Sequence, residues 1–315
     1  MRFLLILWCA VAFAQEYPTK NVTIIVPYPA GGPTDQLARL LATRFQEKLG
    51  KPFIVENVSG GGTTIGTGRV ARAAPDGHTL LLHNLQLAAN VALYTNLQYD
   101  TVKEITAVSF INRNPLVLVG RKSLTPANLG DLIAYMRKTS TSMAHPGSGS
   151  SGHLSTALFA QAAKVVPVQV PYRGGAPMVQ DLLGEQVDLL FGTPQQLLPL
   201  VSAGRIKAYG LTARETSPRF PDAASLVATL GPKLEVYYWH ALFAPTGTPA
   251  PVLDKIAGVV QTTLADAALV KSWADTDVSL YPPEERSPKG AEALFMSEVD
   301  RWGDVVRANK IQPVE

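Results

Sequence analysis

Short apolar runs of β-strand length alternate along this chain with longer runs whose apolar residues recur every three or four positions. That alternation admits an α/β architecture and little else. Val22 to Val26 reads as a buried strand, and Leu37, Leu40, Leu41, Phe45 and Leu49 then share one helical face. Gly50 and Pro52 stop that helix. Positions 53–56, 79–82, 105–110 and 116–119 read as further strands. Thr125-Pro126 is expected to open a helix, and a helix over 153–164 to precede a strand over 165–170. A helix reaching Leu183 leads to a strand at 187–191, with more apolar runs at 206–211 and 239–244. The last helices open at Pro249 and at Ser287-Pro288. The chain's 315 residues exceed the usual single domain, yet no linker or repeat divides them. Two lobes, with the chain crossing between them more than once, are the expected result.

The first residues bear on compartment. Arg2 precedes an apolar run from Phe3 to Val11, followed by Ala12-Phe13-Ala14. A short basic start, an apolar core and an A-x-A site describe a cleaved secretory signal over 1–14. The run is shorter than the roughly 20 residues that cross a bilayer. The sole cysteine, Cys9, lies inside this segment, and Trp8 stands where a lipid-attachment site needs a small residue. The mature protein would therefore carry no disulfide, thiol nucleophile or thiolate metal site. The formal charge is only +3 and its Lys and Arg are scattered, which argues against nucleic acid as a partner. The five histidines include no H-x-H or H-E-x-x-H spacing, so no metal site is indicated, and nothing calls for a cofactor.

Four glycine-rich loops stand between expected strands and helices. The first runs from Pro27 through Tyr28, Ala30, Gly31 and Gly32 to Thr34 and Asp35. Glycines let backbone N–H groups face a guest, and a helix start adds positive potential, which together make an anion site. Gly31, Gly32, Thr34 and Asp35 have N–H groups to offer, and Thr34 a hydroxyl. Asp35 is better read as a capping residue paired with Arg39 than as a ligand contact. The second loop, His145 to Leu154, carries Ser148, Ser150, Ser151 and His153. It matches G-x-G-x-x-G by letter, but Tyr172-Arg173 occupies the region where a dinucleotide fold needs an acid. Its spacing fails the G-x-S-x-G nucleophile elbow. In the third loop Arg173, beside Gly174, is either a bidentate carboxylate holder or a solvated surface residue. Thr193, after the strand at 187–191, can line the same cleft. The fourth, Ser59 to Gly66, reads as a strand-to-helix turn.

Taken in order, Val26-Pro27-Tyr28-Pro29-Ala30-Gly31-Gly32-Pro33-Thr34-Asp35, Pro75-Asp76-Gly77-His78-Thr79-Leu80, Gly149-Ser150-Ser151-Gly152-His153-Leu154, Pro171-Tyr172-Arg173-Gly174 and Ala244-Pro245-Thr246-Gly247-Thr248-Pro249 resemble the receptors of tripartite tricarboxylate transporters, the TctC or Bug family. The resemblance covers nearly the whole mature chain. It implies a type II periplasmic-binding-protein fold: two α/β lobes with a central ligand cleft, 15–121 and 238–315 forming one lobe and 122–237 the other. It implies a periplasmic, monomeric, non-enzymatic receptor that hands a small organic carboxylate to membrane permease subunits. Tyr28, Ala30, Gly31, Gly32 and Thr34 would grip the ligand from one lobe. Ser148, Ser150, Ser151, His153 and Arg173 would grip it from the other. The stretch His83-Asn84-Leu85-Gln86-Leu87 departs from the family's small residues and predicts a bulkier wall. Two other classes remain open: a ligand-binding partner of a sensor, and a secreted hydrolase using Ser151 and His153.

Overall fold

The computed structural model describes residues 16–309 and 311, so the expected signal segment lies outside the described residues. Two six-stranded sheets organise the rest. The first contains β1 (Val22–Val26), β2 (Phe53–Asn57), β3 (Thr79–Asn84), β4 (Ile105–Pro115), β11 (Tyr237–Pro245) and β12 (Ser279–Leu280). Their order is β12-β4-β11-β3-β1-β2. The second contains β5 (Val117–Arg121), β6 (Ser142–His145), β7 (Val168–Pro171), β8 (Leu189–Gly192), β9 (Ile206–Leu211) and β10 (Ala224–Ser225), in the order β10-β9-β5-β8-β6-β7. In each sheet three adjacent strands run parallel, β3-β1-β2 and β8-β6-β7, and antiparallel pairs extend it through β11 or β5.

Helices α1 (Pro33–Leu49), α2 (Thr64–Ala71), α3 (Gln86–Leu93), α4 (Thr101–Glu104), α10 (Ala250–Thr263), α11 (Ala267–Ala274) and α12 (Pro288–Ala308) accompany the first sheet. Helices α5 (Leu129–Met136), α6 (Ser151–Ala163), α7 (Gly175–Leu183), α8 (Pro194–Ser202) and α9 (Leu226–Leu230) accompany the second. Helix α1 buries Leu37, Leu41 and Phe45, as its spacing predicts, and ends on Gly50 at φ 72°. Only glycine adopts that left-handed cap without strain. Among the described residues no helix is long and apolar enough to cross a membrane.

Three details depart from the sequence reading. The strand Val117–Arg121 pairs with β8 and β9 in the second sheet, so the chain crosses near Leu116 and not after position 121. An apolar run declares that it is buried, not which sheet receives it. Helix α5 starts at Leu129 with Asn128 as its cap, accepting from the Asp131 N–H at 2.9 Å. Pro126 stays outside, and its carbonyl accepts from the Tyr209 hydroxyl at 3.0 Å. The strand expected over 165–170 starts later: β7 begins at Val168 on the edge of its sheet, and Val166 before it is 93% exposed.

Candidate ligand-binding site

A cavity of about 460 Å³ lies between the two sheets. It sits where α1 follows β1 in one lobe and where α6, α7 and α8 follow β6, β7 and β8 in the other. That is the carboxyl end of the parallel strands, where α/β folds place their ligands. The wall includes Tyr28, Ala30, Gly31, Gly32, Thr34, Ser150, Ser151, Arg173, Gly174 and Thr193 from the sequence reading. Ser148 and His153 are not part of it.

The loop before α1 is held from behind by Asp35. Its carboxylate accepts from the Gly31 N–H at 2.9 Å, Arg39 Nε at 3.0 Å and Asn57 Nδ2 at 3.0 Å. Desolvation pushes its pKa up, but these hydrogen bonds outweigh it and hold the carboxyl below its ordinary value. Gly31 sits at φ +86°, a conformation that turns its N–H inward to Asp35. This corrects the expectation that the Gly31 N–H serves a ligand. The Thr34 hydroxyl is engaged as well, 3.1 Å from His240 Nε2 and 3.3 Å from the Tyr238 hydroxyl. His240 Nδ1 lies 2.9 Å from Asn112 Oδ1, which places the ring proton there and leaves Nε2 to accept from Thr34. Burial holds His240 down to about 3, so this chain of bonds is neutral. The N–H groups of Thr34 and Asp35, in the first turn of α1, have no partner among the described residues.

The facing loop is built around two stacked histidines. The His145 and His153 rings lie 4.6 Å apart. Their Nδ1 atoms accept from the N–H groups of Gly147 at 3.3 Å and Gly149 at 3.1 Å. Burial, with the neighbouring His145, depresses His153 to about 4. His153 thus shapes the loop from behind, which is why it misses the cavity. Ser150 caps α6: its hydroxyl donates to Gly147 O at 2.6 Å and accepts from the His153 N–H at 3.3 Å. Ser151, one position on, opens the helix with no side-chain hydrogen bond among the described residues. Ser148 is exposed, and its carbonyl accepts from Gln86 Nε2 across the lobes at 3.0 Å.

With this geometry in hand, comparison with known proteins decides the family. The model described as "Tripartite tricarboxylate transporter family receptor" matches residues 37–311. The chain belongs to this family. BugT of Bordetella pertussis is 33% identical over 93% of this chain and 90% of its own. The solved periplasmic binding protein BugD superposes with a TM-score of 0.86 at 32% identity, covering 95% of this chain and 100% of that one. MatC from Rhodopseudomonas palustris, solved with bound malate, gives 0.84 at 36% identity over 92% and 100%. A further R. palustris protein, solved with adipate, gives 0.86 at 31% over 95% and 100%.

This tripartite tricarboxylate transporter receptor has wall residues that motif reading missed. Tyr238 reaches the cavity from β11 and Gln196 from α8. Of the bulky stretch from the end of β3 into α3, only Asn84 and Gln86 face the cavity, while His83, Leu85 and Leu87 are buried in packing. Tyr238 sits in a strand and Gln196 inside a helix, where no turn chemistry signals a site. Arg173 is the only charged side chain on the wall, is exposed, and has no ion pair among the described residues.

Proposed function

We propose that this receptor captures a small organic carboxylate between its lobes in the periplasm. It hands the ligand unchanged to the permease subunits of its transporter and acts as a monomer. One observation carries the reading: the first turns of α1, α6, α7 and α8 converge on one cavity whose wall contains no acidic side chain. Each helix start contributes partial positive charge and unpaired N–H donors. Malate and adipate in the related solved proteins support the carboxylate assignment. The Thr34 and Asp35 N–H groups and the Ser151 hydroxyl are the donors for one carboxylate.

Stoichiometric binding without turnover fits the site, since His153 is committed to Gly149 and offers Ser151 no base. Native mass spectrometry of the purified protein, followed by calorimetry against a carboxylate panel, tests the proposal. One ligand per chain, recovered unchanged, is expected. Conversion at catalytic rates overturns it. Ser151→Ala should weaken binding about 10- to 100-fold, the equivalent of one hydrogen bond to a charged group. N-terminal sequencing of exported protein should begin at Gln15, because the Ala12-Phe13-Ala14 site precedes it.

A further inference from the structure

A second cavity, of about 370 Å³, lies between α12 and the strands β4 and β11, and shares no wall residue with the ligand cleft. Alternation along β11 turns Tyr238 to the cleft and Tyr237 and Trp239 to this cavity. It stands beside both crossings of the chain between the lobes, with Arg113 near the end of β4 and Glu235 just before β11. Most of its charges answer one another. Glu298 accepts from the indole N–H groups of Trp239 at 2.6 Å and Trp302 at 2.9 Å, and its other oxygen lies 3.4 Å from Arg301 Nη1. Arg301 also donates to the Glu235 carbonyl, and the Glu235 carboxylate pairs with Arg214 at 2.7 Å. Two groups of opposite sign are left over. The Arg113 guanidinium lies over the Tyr237 and Tyr281 rings, 4.9 and 5.2 Å from their centres, and its Nε is buried with no hydrogen-bond partner among the described residues. Glu285, on the turn Pro283–Arg286, has its Oε2 buried in the same way. Neither side chain forms an ion pair among the described residues.

An arginine only donates and a carboxylate only accepts, so each of these two groups needs a partner of the opposite kind. Leaving either one desolvated and unpaired is costly. A guest anion would answer Arg113 alone, and a guest cation Glu285 alone. We infer that this cavity is a second binding site, separate from the carboxylate cleft, for a small zwitterionic amino acid. The guest's carboxylate faces Arg113 and its ammonium faces Glu285.

Fluorotryptophan labelling makes Trp239, on the cavity wall, a reporter for fluorine NMR, its resonance assigned with Trp239→Phe. The probes are L-alanine, β-alanine and γ-aminobutyrate, beside butyrate and butylammonium, which each carry one of the two charges. At least one amino acid should shift the Trp239 resonance saturably, and the two single ions should bind at least about 10-fold more weakly. Comparing the five probes on the parent protein needs no variant to fold. Arg113→Gln and Glu285→Gln should each weaken that amino acid about 10-fold, while Ser151→Ala in the cleft leaves it unchanged. If no amino acid moves the resonance, or a single ion binds as tightly as the best of them, the inference falls. It falls equally if both cavity variants bind like the parent, or if Ser151→Ala weakens the amino acid as much as they do, which would place the guest in the cleft. The carboxylate reading of the cleft survives each of these results.

Discussion

At the residue scale, the site is shaped by side chains that never touch the cavity. Asp35 holds the first loop through three hydrogen bonds, so Asp35→Ala should cost about 2–3 kcal/mol and weaken ligand binding as well. Urea unfolding beside calorimetry checks both effects. The buried histidines set a pH dependence. His83 and His240 are depressed to about 3 and His153 to about 4, in each case chiefly by burial. The unfolded chain takes up these protons near pH 6.5, and the folded chain does so only near its lower values. Stability is therefore complete above pH 6.5 and falls as pH drops below it, by up to about 1.4 kcal/mol per pH unit per histidine. Thermal unfolding midpoints should decline from pH 7 to pH 5, and His240→Gln should flatten the slope. A flat wild-type profile would show that these rings protonate without unfolding. Sequence marked the two loops, because glycine, proline and serine clusters announce turns. It did not show that the nearby Asp35 carboxylate turns back to the Gly31 N–H, nor that the Thr34 hydroxyl is engaged by Tyr238 and His240 from far along the chain.

At the element scale, two constraints act through backbone approach and strand edges. Helix α2 crosses the end of β1 so closely that a Cβ at Gly66 would lie 2.6 Å from Val58 O and 2.9 Å from Pro27 Cβ. Gly66→Ala should cost about 1–3 kcal/mol as α2 is pushed away from the loop that follows β1, measurable as a drop in the unfolding midpoint. Strand β7 is an edge whose Val168 and Tyr172 N–H groups point to Thr141 O and His145 O on the β6 side. Alternation then turns positions 167, 169 and 171 outward, and prolines at 167 and 171 remove two of the three outward donors. Exposed valines at 166 and 168 make that protection necessary. Pro167→Thr should raise the rate of self-association during heating, read by light scattering against the parent. Most elements were legible because their periods differ, but α3 was not. Its Gln86–Leu93 sequence is buried on nearly every side, so it shows no apolar stripe.

At the scale of the whole molecule, each lobe has a hydrophobic cluster of its own, and a further buried cluster spans both. That spanning cluster joins Leu81, Leu93, Trp239 and Phe295 of the first lobe to Leu118, Leu154, Phe159 and Tyr209 of the second. Unfolding should therefore be a single transition. The described tryptophans, at 239, 273 and 302, all lie in the first lobe, so their fluorescence reports that lobe while circular dichroism reports both. Coincident urea midpoints are expected, and separated ones would show that the lobes unfold independently. The sequence by itself determined the α/β class, the loops that carry the site and the family resemblance. Each of these rests on local period, local turn chemistry or residue order. Only the tertiary structure decided that β5 joins the second sheet, that His153 supports the cavity from behind, and that Tyr238 and Gln196 reach it. Those facts depend on which distant strands pair and on where four helix starts meet, and contacts between residues far apart in the chain leave no periodic trace in it.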